Sequence, residues 1–409
     1  MPTKSCVYRL HDPLTRSNWG GRSTSLALGR IIEGSAGRRI ESAIGAPHIL
    51  QQLTEHDYKT PGRSAFHLVD DIATEIASPP GGASALLMEL HDMLEGADEL
   101  VVNGEGDLIL TERLTLLRTL ATIRAAKKLG KPVHLLNSIL SHGPIRPDHE
   151  QLIIDQVGAT LELCDSIVYR DPHSLALHRE LFPGLDATWT PDALFSWAPY
   201  ARTDLARRDA FSPETEGLPV SVQRLLVERR PYVVVSGTSR YRINHARFRT
   251  TMIAFAAQLA ARGVETVFAG TDEPDRKLAA TLDGTGIVRV VDPKVPLSAA
   301  SRLLWNATAL VSGRYHPSIL ASLGGTPFVL MTSNSHKTRS LYEVVPFGGE
   351  VVEEPFFTGG RKQGAHLAEV VLGYANAAVR RRVSRSARSN GRRVVTDFTR
   401  AITEAPTRG

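Results

Sequence analysis

The sequence is poor in several features that would assign a class at once. It has two cysteines in 409 residues, Cys6 and Cys164, far apart and each in an apolar run. That excludes a disulfide framework or a thiolate metal site and points to buried, reduced thiols in a cytoplasmic protein. No stretch sustains the ~18 apolar residues a membrane span needs, and the opening MPTKSCVYRLHDP has neither the apolar core nor the small-residue cleavage site of a secretory signal. There is no G-x-x-x-x-G-K-[ST] and no G-x-G-x-x-G after the first strand, so nucleotide hydrolysis and ordinary dinucleotide binding lack their motifs. His-x-x-x-His and CxxC spacings are also missing, and Asp272 and Asp275 are too few oxygen ligands for a hard cation. Neither a metal nor a cofactor is expected.

What is present is an ordinary globular composition, 42% hydrophobic and 22% charged, which excludes disorder. The net charge of +5 is local: residues 376–409 hold nine arginines and two acids, so the rest of the chain is slightly acidic. No nucleic acid partner is expected. A basic tail of this kind is a solvated helix face or a surface for an anionic membrane, which would place the protein peripherally at the inner face of a bilayer.

Short aliphatic runs alternate with longer amphipathic stretches, the pattern of a parallel sheet with crossover helices. Strands are expected at Cys6–Leu10, Glu99–Asn103, Pro132–Asn137 and Ser166–Arg170. The alternation fails in a proline-punctuated polar stretch and restarts at YVVVSG (232–237), continuing through ETVFAG, IVRVV, ALVSG and PFVLMT. The expected fold class is therefore α/β, with two Rossmann-like domains whose mainly parallel sheets face a cleft. Residues 1–195 form the first domain, 196–230 the connection, 231–363 the second domain, and 364–409 a C-terminal helix and Arg-rich tail.

In a parallel sheet all strands end on one edge, so their exits converge. The first-half exits carry Asn18, Asn103, Glu105, Asn137 and His142, within NWGG, NGEGD and NSILSHGP. In RDPHS, Asp171 and Ser174 suit the cap of a helix starting near Pro172, while Arg170 suits an ion pair. The most informative segment is SGRYHPSILASLGGTPFVLMTSNSHK. After Ser312 and Gly313, Arg314 and His316 flank the start of a helix with Pro317 in its first turn, an anion cradle. The next exit supplies Ser333, Ser335, His336 and Lys337. Two adjacent anion-binding loops imply a ligand with more than one negative group.

These residues resemble the polysaccharide pyruvyl transferase family, chiefly through GRYHPSILASLGGTPFVLMTSNSHK, with support from NWGG, NGEGD, NSILSHGP, RDPHS and TPDALF. The resemblance implies a GT-B-like architecture, phosphoenolpyruvate as donor and a glycan or lipid-linked sugar as acceptor. The family's Arg-x-His falls on Arg314 and His316 and its lysine on Lys337. A further donor-binding arginine falls on Arg240 or Arg242. Where relatives carry Asn-x-Gly-Asp this chain has Asn18-Trp19-Gly20-Gly21, and Gly104-Glu105-Gly106 replaces three glycines, so the acceptor side differs.

The expected chemistry is transfer of the enolpyruvyl group to glycan hydroxyls, giving a pyruvate ketal and phosphate. His316 serves as proton donor or phosphate stabiliser, Arg314 stabilises charge, and Glu105 acts as base from the acceptor side, with Asn18, Asn103, Asn137 and His142. Arg240 or Arg242, Ser312, Gly313, Ser333, Ser335, His336 and Lys337 hold the donor. The alternatives are a glycosyltransferase using a CMP-sugar, suggested by His316-Pro317 and the serines Ser333 and Ser335, and a non-catalytic glycan-binding module.

Overall fold

Eleven strands, all paired in parallel, form two sheets among the described residues, which in this computed structural model are 2–10, 18–45, 64–144, 147–201, 217–239, 243–290, 292, 294–349, 351–353 and 356–404. The chain divides into two compact units. Unit 1 is Met1–His11, Ser25–Ala193 and Arg393–Gly409, and unit 2 is Asp12–Thr24 and Leu194–Arg392.

Unit 1 contains β1 (Lys4–Tyr8), β2 (Arg39–Ile44), β3 (Glu99–Leu110), β4 (Val133–His142), β5 (Ser166–Tyr169) and β6 (Thr188–Trp189), in the order β2-β1-β3-β4-β5-β6. β3 is buried along almost its whole length because helices cover both faces of a parallel sheet, which explains its lack of polar alternation. Asp171 caps the helix Pro172–Leu181, accepting from the Ser174 amide at 2.9 Å and its hydroxyl at 2.8 Å. Arg170 pairs with buried Asp192 at 3.5 Å, so both structural assignments for RDPHS hold.

Unit 2 contains β7 (Tyr232–Thr238), β8 (Glu265–Ala269), β9 (Val288–Val290), β10 (Ala309–Gly313) and β11 (Phe328–Leu330), in the order β11-β10-β7-β8-β9. Its core is built on the helix His245–Ala260, capped by the Asn244 carboxamide, which accepts from the Arg247 amide. Phe248, Met252, Phe255 and Leu259 recur at helical spacing and are fully buried. Each contributes about 1.5–3 kcal/mol by leaving water.

Three differences from the sequence pattern matter for function. β3 and β4 do not stop at Asn103 and Asn137 but run on to Leu110 and His142, so NGEGD and all of NSILSHGP but its last two residues lie inside strands. Glu105 and Asn137 adopt left-handed backbone, with φ of 37° and 54°, and the pairing register shifts beside each before Leu108 resumes against Leu140. Bulge residues of this kind read as a loop in sequence. β2 and the two-residue β6 have no aliphatic run; β2 is a half-exposed edge strand.

The third difference concerns boundaries. Residues 18–24, expected in the N-terminal domain, group with unit 2: the Trp19 amide donates to the Thr271 carbonyl at 3.1 Å and Arg22 Nη1 to the Val295 carbonyl at 3.0 Å. The expected 364–409 tail is two helices. Gly360–Tyr374 belongs to unit 2, where the Gly360 amide reaches Thr251 Oγ1 at 2.9 Å. Ala377–Thr403 begins in unit 2 and ends in unit 1, where Arg393 stacks 4.0 Å over the Trp189 ring and Arg38 Nη2 donates to the Ile402 carbonyl at 3.1 Å.

Cys6 and Cys164 are buried free thiols, and burial pushes the Cys6 thiol up to about 11. No helix among the described residues is long and apolar enough to cross a membrane.

Candidate functional site

In an open parallel sheet a ligand crevice forms outside the carboxyl ends of strands where the winding direction reverses. In unit 2 that point is between β7 and β10. The residues ending those strands are buried Ser236, Thr238, Ser312 and Gly313, followed by Arg314. Ser312 Oγ lies 2.6 Å from Ser236 Oγ, accepts from the Arg314 amide at 2.9 Å and donates to the Arg314 carbonyl at 2.8 Å. Ser312, expected to touch the donor, thus holds the Arg314 backbone. Gly313 is required by closeness, since a Cβ there would sit 2.6 Å from Thr238 Oγ1.

Arg314 is the hub. Its Nε and Nη2 donate to Asp275 at 3.0 and 2.7 Å, and Nη1 donates to Asp272 at 3.1 Å. Asp275 is 1% exposed, accepts from the Thr271 amide, and packs against β7 where a Gly237 Cβ would fall 1.9 Å from its oxygen. Burial pushes the Asp275 carboxyl above the usual range, opposed by the guanidinium. Arg314, expected as an open cation for the donor, has its charge matched by two carboxylates.

Asn18 also differs in place. Expected on the acceptor side, it lies in unit 2, where Nδ2 donates to Asp272 at 2.8 Å and Oδ1 accepts from the Gly21 amide at 3.0 Å. Two residues on, Gly20 leaves room for the His316 ring, whose Nδ1 is 2.2 Å from where a Cβ would stand. His316 is in the first turn of the helix Tyr315–Leu323, half-buried, with its ring 5.3 Å from that of Tyr315. The orphan amides of that turn and its dipole face the same strand edge.

Lys337 opens the helix Lys337–Val344, preceded by His336, and its Nζ donates to Ser239 Oγ, just after β7, at 3.2 Å. Ser333 Oγ donates to Asn334 Oδ1 at 3.4 Å. The hydroxyls of Thr332 and Ser335 are buried and take no hydrogen bond among the described residues. Such orphans in a loop at a sheet edge are groups that a polar ligand would satisfy. Arg240 and Arg242 lie outside the described residues.

In unit 1, Asn103, Glu105 and Asn137 are brought together. Asn137 Nδ2 donates to Asn103 Oδ1 at 3.0 Å, its Oδ1 accepts from the Ala193 amide at 3.0 Å, and Asn103 Nδ2 lies 3.5 Å from Glu105 Oε1. His142 is exposed at the end of β4. The sequence reading passed over Arg9 and Asp107 and weighed Asp272 and Asp275 only as metal ligands, although two acids in the strand exit AGTDEPD beside an arginine-bearing exit signal an ion pair. Among the described residues one group, His91, Asp92 and Glu95 on a largely exposed face of unit 1, gathers three potential metal ligands.

The model of the family described as polysaccharide pyruvyl transferase matches residues 38–336. The chain belongs to the polysaccharide pyruvyl transferase family. Membership makes it a transferase enzyme, and Arg314, His316 and all but the last residue of the 332–337 loop fall inside the matched span. No curated protein matches the sequence. Solved structures similar to this pyruvyl transferase relative include a Listeria monocytogenes protein described as a putative UDP-N-acetylglucosamine 2-epimerase (12% identity, TM-score 0.58, 100% of this chain and 98% of that one). Others are S. aureus MnaA solved with UDP (10%, 0.57, 99% and 98%) and Os79 from O. sativa solved with U2F and trichothecene (13%, 0.56, 97% and 99%). At these identities the likeness is one of fold: two Rossmann-like α/β domains of the GT-B kind.

Proposed function

We propose that this protein transfers the enolpyruvyl group of phosphoenolpyruvate to two hydroxyls of a glycan or lipid-linked sugar, forming a pyruvate ketal and releasing phosphate. Family membership carries this reading. The polar edge of unit 2 supports it, with Lys337, His316, a helix start and two orphan hydroxyls suited to a small ligand with two anionic groups. Arg240 or Arg242 would add to the donor's charge balance.

In this reading His316 protonates the enol methylene, making a methyl group and an electron-poor C2. A sugar hydroxyl adds to C2 as Glu105 takes its proton, the C2–O bond to phosphate breaks with its electron pair leaving on phosphate, and a second hydroxyl closes the ketal. One hydroxyl proton replaces the one His316 gave to the methyl, and the other leaves with phosphate, so the balance closes without a redox partner. Arg314, fixed by Asp272 and Asp275, orients the turn that presents His316. Lys337 acts on the donor as a point charge. Incubation with phosphoenolpyruvate or CMP-sugars and a panel of glycosides tests the reading. Acceptor-dependent phosphate release supports it, and CMP release with no phosphate replaces it by sialyl-type transfer.

We also assign the basic face of the helix Ala377–Thr403 to reversible contact with an anionic bilayer, which would hold a cytoplasmic enzyme beside a lipid-linked acceptor. Val379, Val383, Ala387, Val394, Phe398 and Ile402 are buried, while Arg381, Arg382, Arg385, Arg388 and Arg392 are exposed, with no acid between Glu369 and Asp397. Each arginine near such a surface is worth about 1 kcal/mol, screened by salt. Sedimentation with anionic vesicles at low salt, lost in Arg381→Gln/Arg385→Gln/Arg388→Gln, is the expected result; no sedimentation of the wild type overturns it.

A further inference from the structure

The strand order β2-β1-β3-β4-β5-β6 of unit 1 reverses its winding between β1 and β3, so the switch point of this sheet, where ligands bind in folds of this order, lies where those two strands end. β1 is followed by Arg9, which is bonded to Asp107 and lies 3.9 Å from Glu105. β3 is followed by residues 111–113 and then by the helix Leu114–Lys128. The first amides of that helix have no partners within it, and the positive end of its dipole points to the same edge. Arg113 stands at the cap position, and its side chain makes neither a capping hydrogen bond nor an ion pair among the described residues.

Arg118 turns this helix start into a built site. It is 8% exposed, and its Nε donates to the Leu114 carbonyl at 3.1 Å, so the side chain reaches back one turn to the beginning of its own helix. Its Nη1 is buried and takes no hydrogen bond among the described residues. Buried arginines elsewhere are matched: Arg124 pairs with Asp70 at 2.8 Å, Arg170 with Asp192 at 3.5 Å and Arg314 with Asp275 at 2.7 Å. Arg118 meets no carboxylate at ion-pair distance among the described residues. Asp107 lies within its electrostatic reach but is bonded to Arg9, and burial pushes the Asp107 carboxyl up. A desolvated guanidinium without a partner is costly unless a ligand brings the opposite charge.

We propose that the start of the helix Leu114–Lys128, with Arg113 and Arg118, binds a phosphoryl group carried by the acceptor, so that the acceptor is a phosphate-linked sugar and not a neutral glycan. Helix amides and a guanidinium together suit the several oxygens and the charge of such a group. Leu114, 39% exposed, and half-buried Arg113 and Thr115 leave the turn open to solvent. The turn also lies beside the acceptor side of the reaction, because Thr119, next to Arg118, donates to Asp107 at 3.3 Å, two residues beyond Glu105 on β3. That the phosphoryl group belongs to an acceptor rests on the pyruvyl-transfer reading; the anion site itself does not.

The test follows the Arg118 Nε resonance in full-length, 15N-arginine-labelled protein, assigned by its loss in Arg118→Lys or, if that variant fails to fold, in Arg118→Met. Inorganic phosphate is titrated in at ionic strength held constant with chloride. The expected result is a saturable shift of that resonance whose midpoint is unchanged in Lys337→Ala, a variant weakened on the donor side. No shift, or a shift lost in Lys337→Ala, overturns the site. Methyl phosphate then separates the two sources of a phosphoryl group: a midpoint within about threefold of that for inorganic phosphate supports an esterified acceptor, and one weaker by about tenfold or more makes this a site for the free ion and overturns the acceptor assignment. Saturable shifts with no phosphate released from phosphoenolpyruvate leave the anion site standing and overturn the pyruvyl reading, and phosphate release with an unmoved Arg118 resonance does the reverse.

Discussion

Unit 1 and unit 2 each place one arginine and two carboxylates at the switch point of a parallel sheet, yet they reach that arrangement by opposite means. In unit 2, Arg314 is clamped by Asp272 and Asp275 on ordinary backbone, and glycines at 20 and 237 make the space. In unit 1, Arg9 is shared by Glu105 and Asp107, and the backbone is forced left-handed at residues with full side chains. A glycine makes room without strain and leaves nothing to react. A left-handed glutamate costs about 1–3 kcal/mol and presents a carboxylate where no relaxed strand would point it. The rigid clamp suits a cluster that orients its neighbours, and the strained bulge suits one that reacts.

The comparison breaks most readily at the buried acids. Asp275→Ala leaves the Arg314 guanidinium without its two-point partner, at an expected cost of about 3–5 kcal/mol. Asp107→Ala costs less because the Arg9 side chain is more exposed than that of Arg314, 18% against 11%; denaturant unfolding of both variants checks the order, and a larger loss from Asp107→Ala reverses it. Next, His316→Ala lowers turnover by at least ~100-fold with the fold intact, while Lys337→Ala chiefly raises the KM for the anionic donor. Steady-state phosphate release read beside far-ultraviolet dichroism separates these effects from unfolding.

Smaller effects sharpen the contrast between room and strain. Gly237→Ala drives a methyl into Asp275 and destabilises by about 1–3 kcal/mol. Glu105→Gly removes the left-handed penalty and holds or raises stability by about 1 kcal/mol while abolishing turnover. Thermal melts of the two variants should move in opposite directions.

The smallest effect is on pH dependence. The Asp107 and Asp275 carboxyls are both raised by burial, so between the ordinary aspartate value and the raised native one the native state binds more protons than the unfolded chain. Stability from these two groups is therefore greatest below that window and falls as pH rises through it. Asp275→Asn and Asp107→Asn should each flatten this fall in melting temperature across the acid range. A slope unchanged in both variants contradicts the raised values.

The parallel sheets, most strand positions in unit 2, the caps at Asp171 and the helix start after Arg314 were all legible, because each is written in a local run of residues. The family was legible for the same reason, since GRYHPSILASLGGTPFVLMTSNSHK is contiguous. The clusters were legible only in part. Asn103, Glu105 and Asn137 were picked out by their loop-like neighbours, whereas the bulges that keep them within strands depend on pairing partners 34 positions apart. Arg9 resembles a solvated charge in sequence, and nothing beside it in the chain announces Asp107.

The amino-acid sequence alone determined that this chain is a two-domain α/β transferase of its family, since hydrophobic period and contiguous motif need no knowledge of contacts. Only the tertiary structure decided which charges are already spent. Arg314 meets Asp275 from 39 residues away, and Asn18 meets Asp272 from 254. A charge is neutralised by what lies within a few ångströms in space, and sequence separation carries no information about that distance.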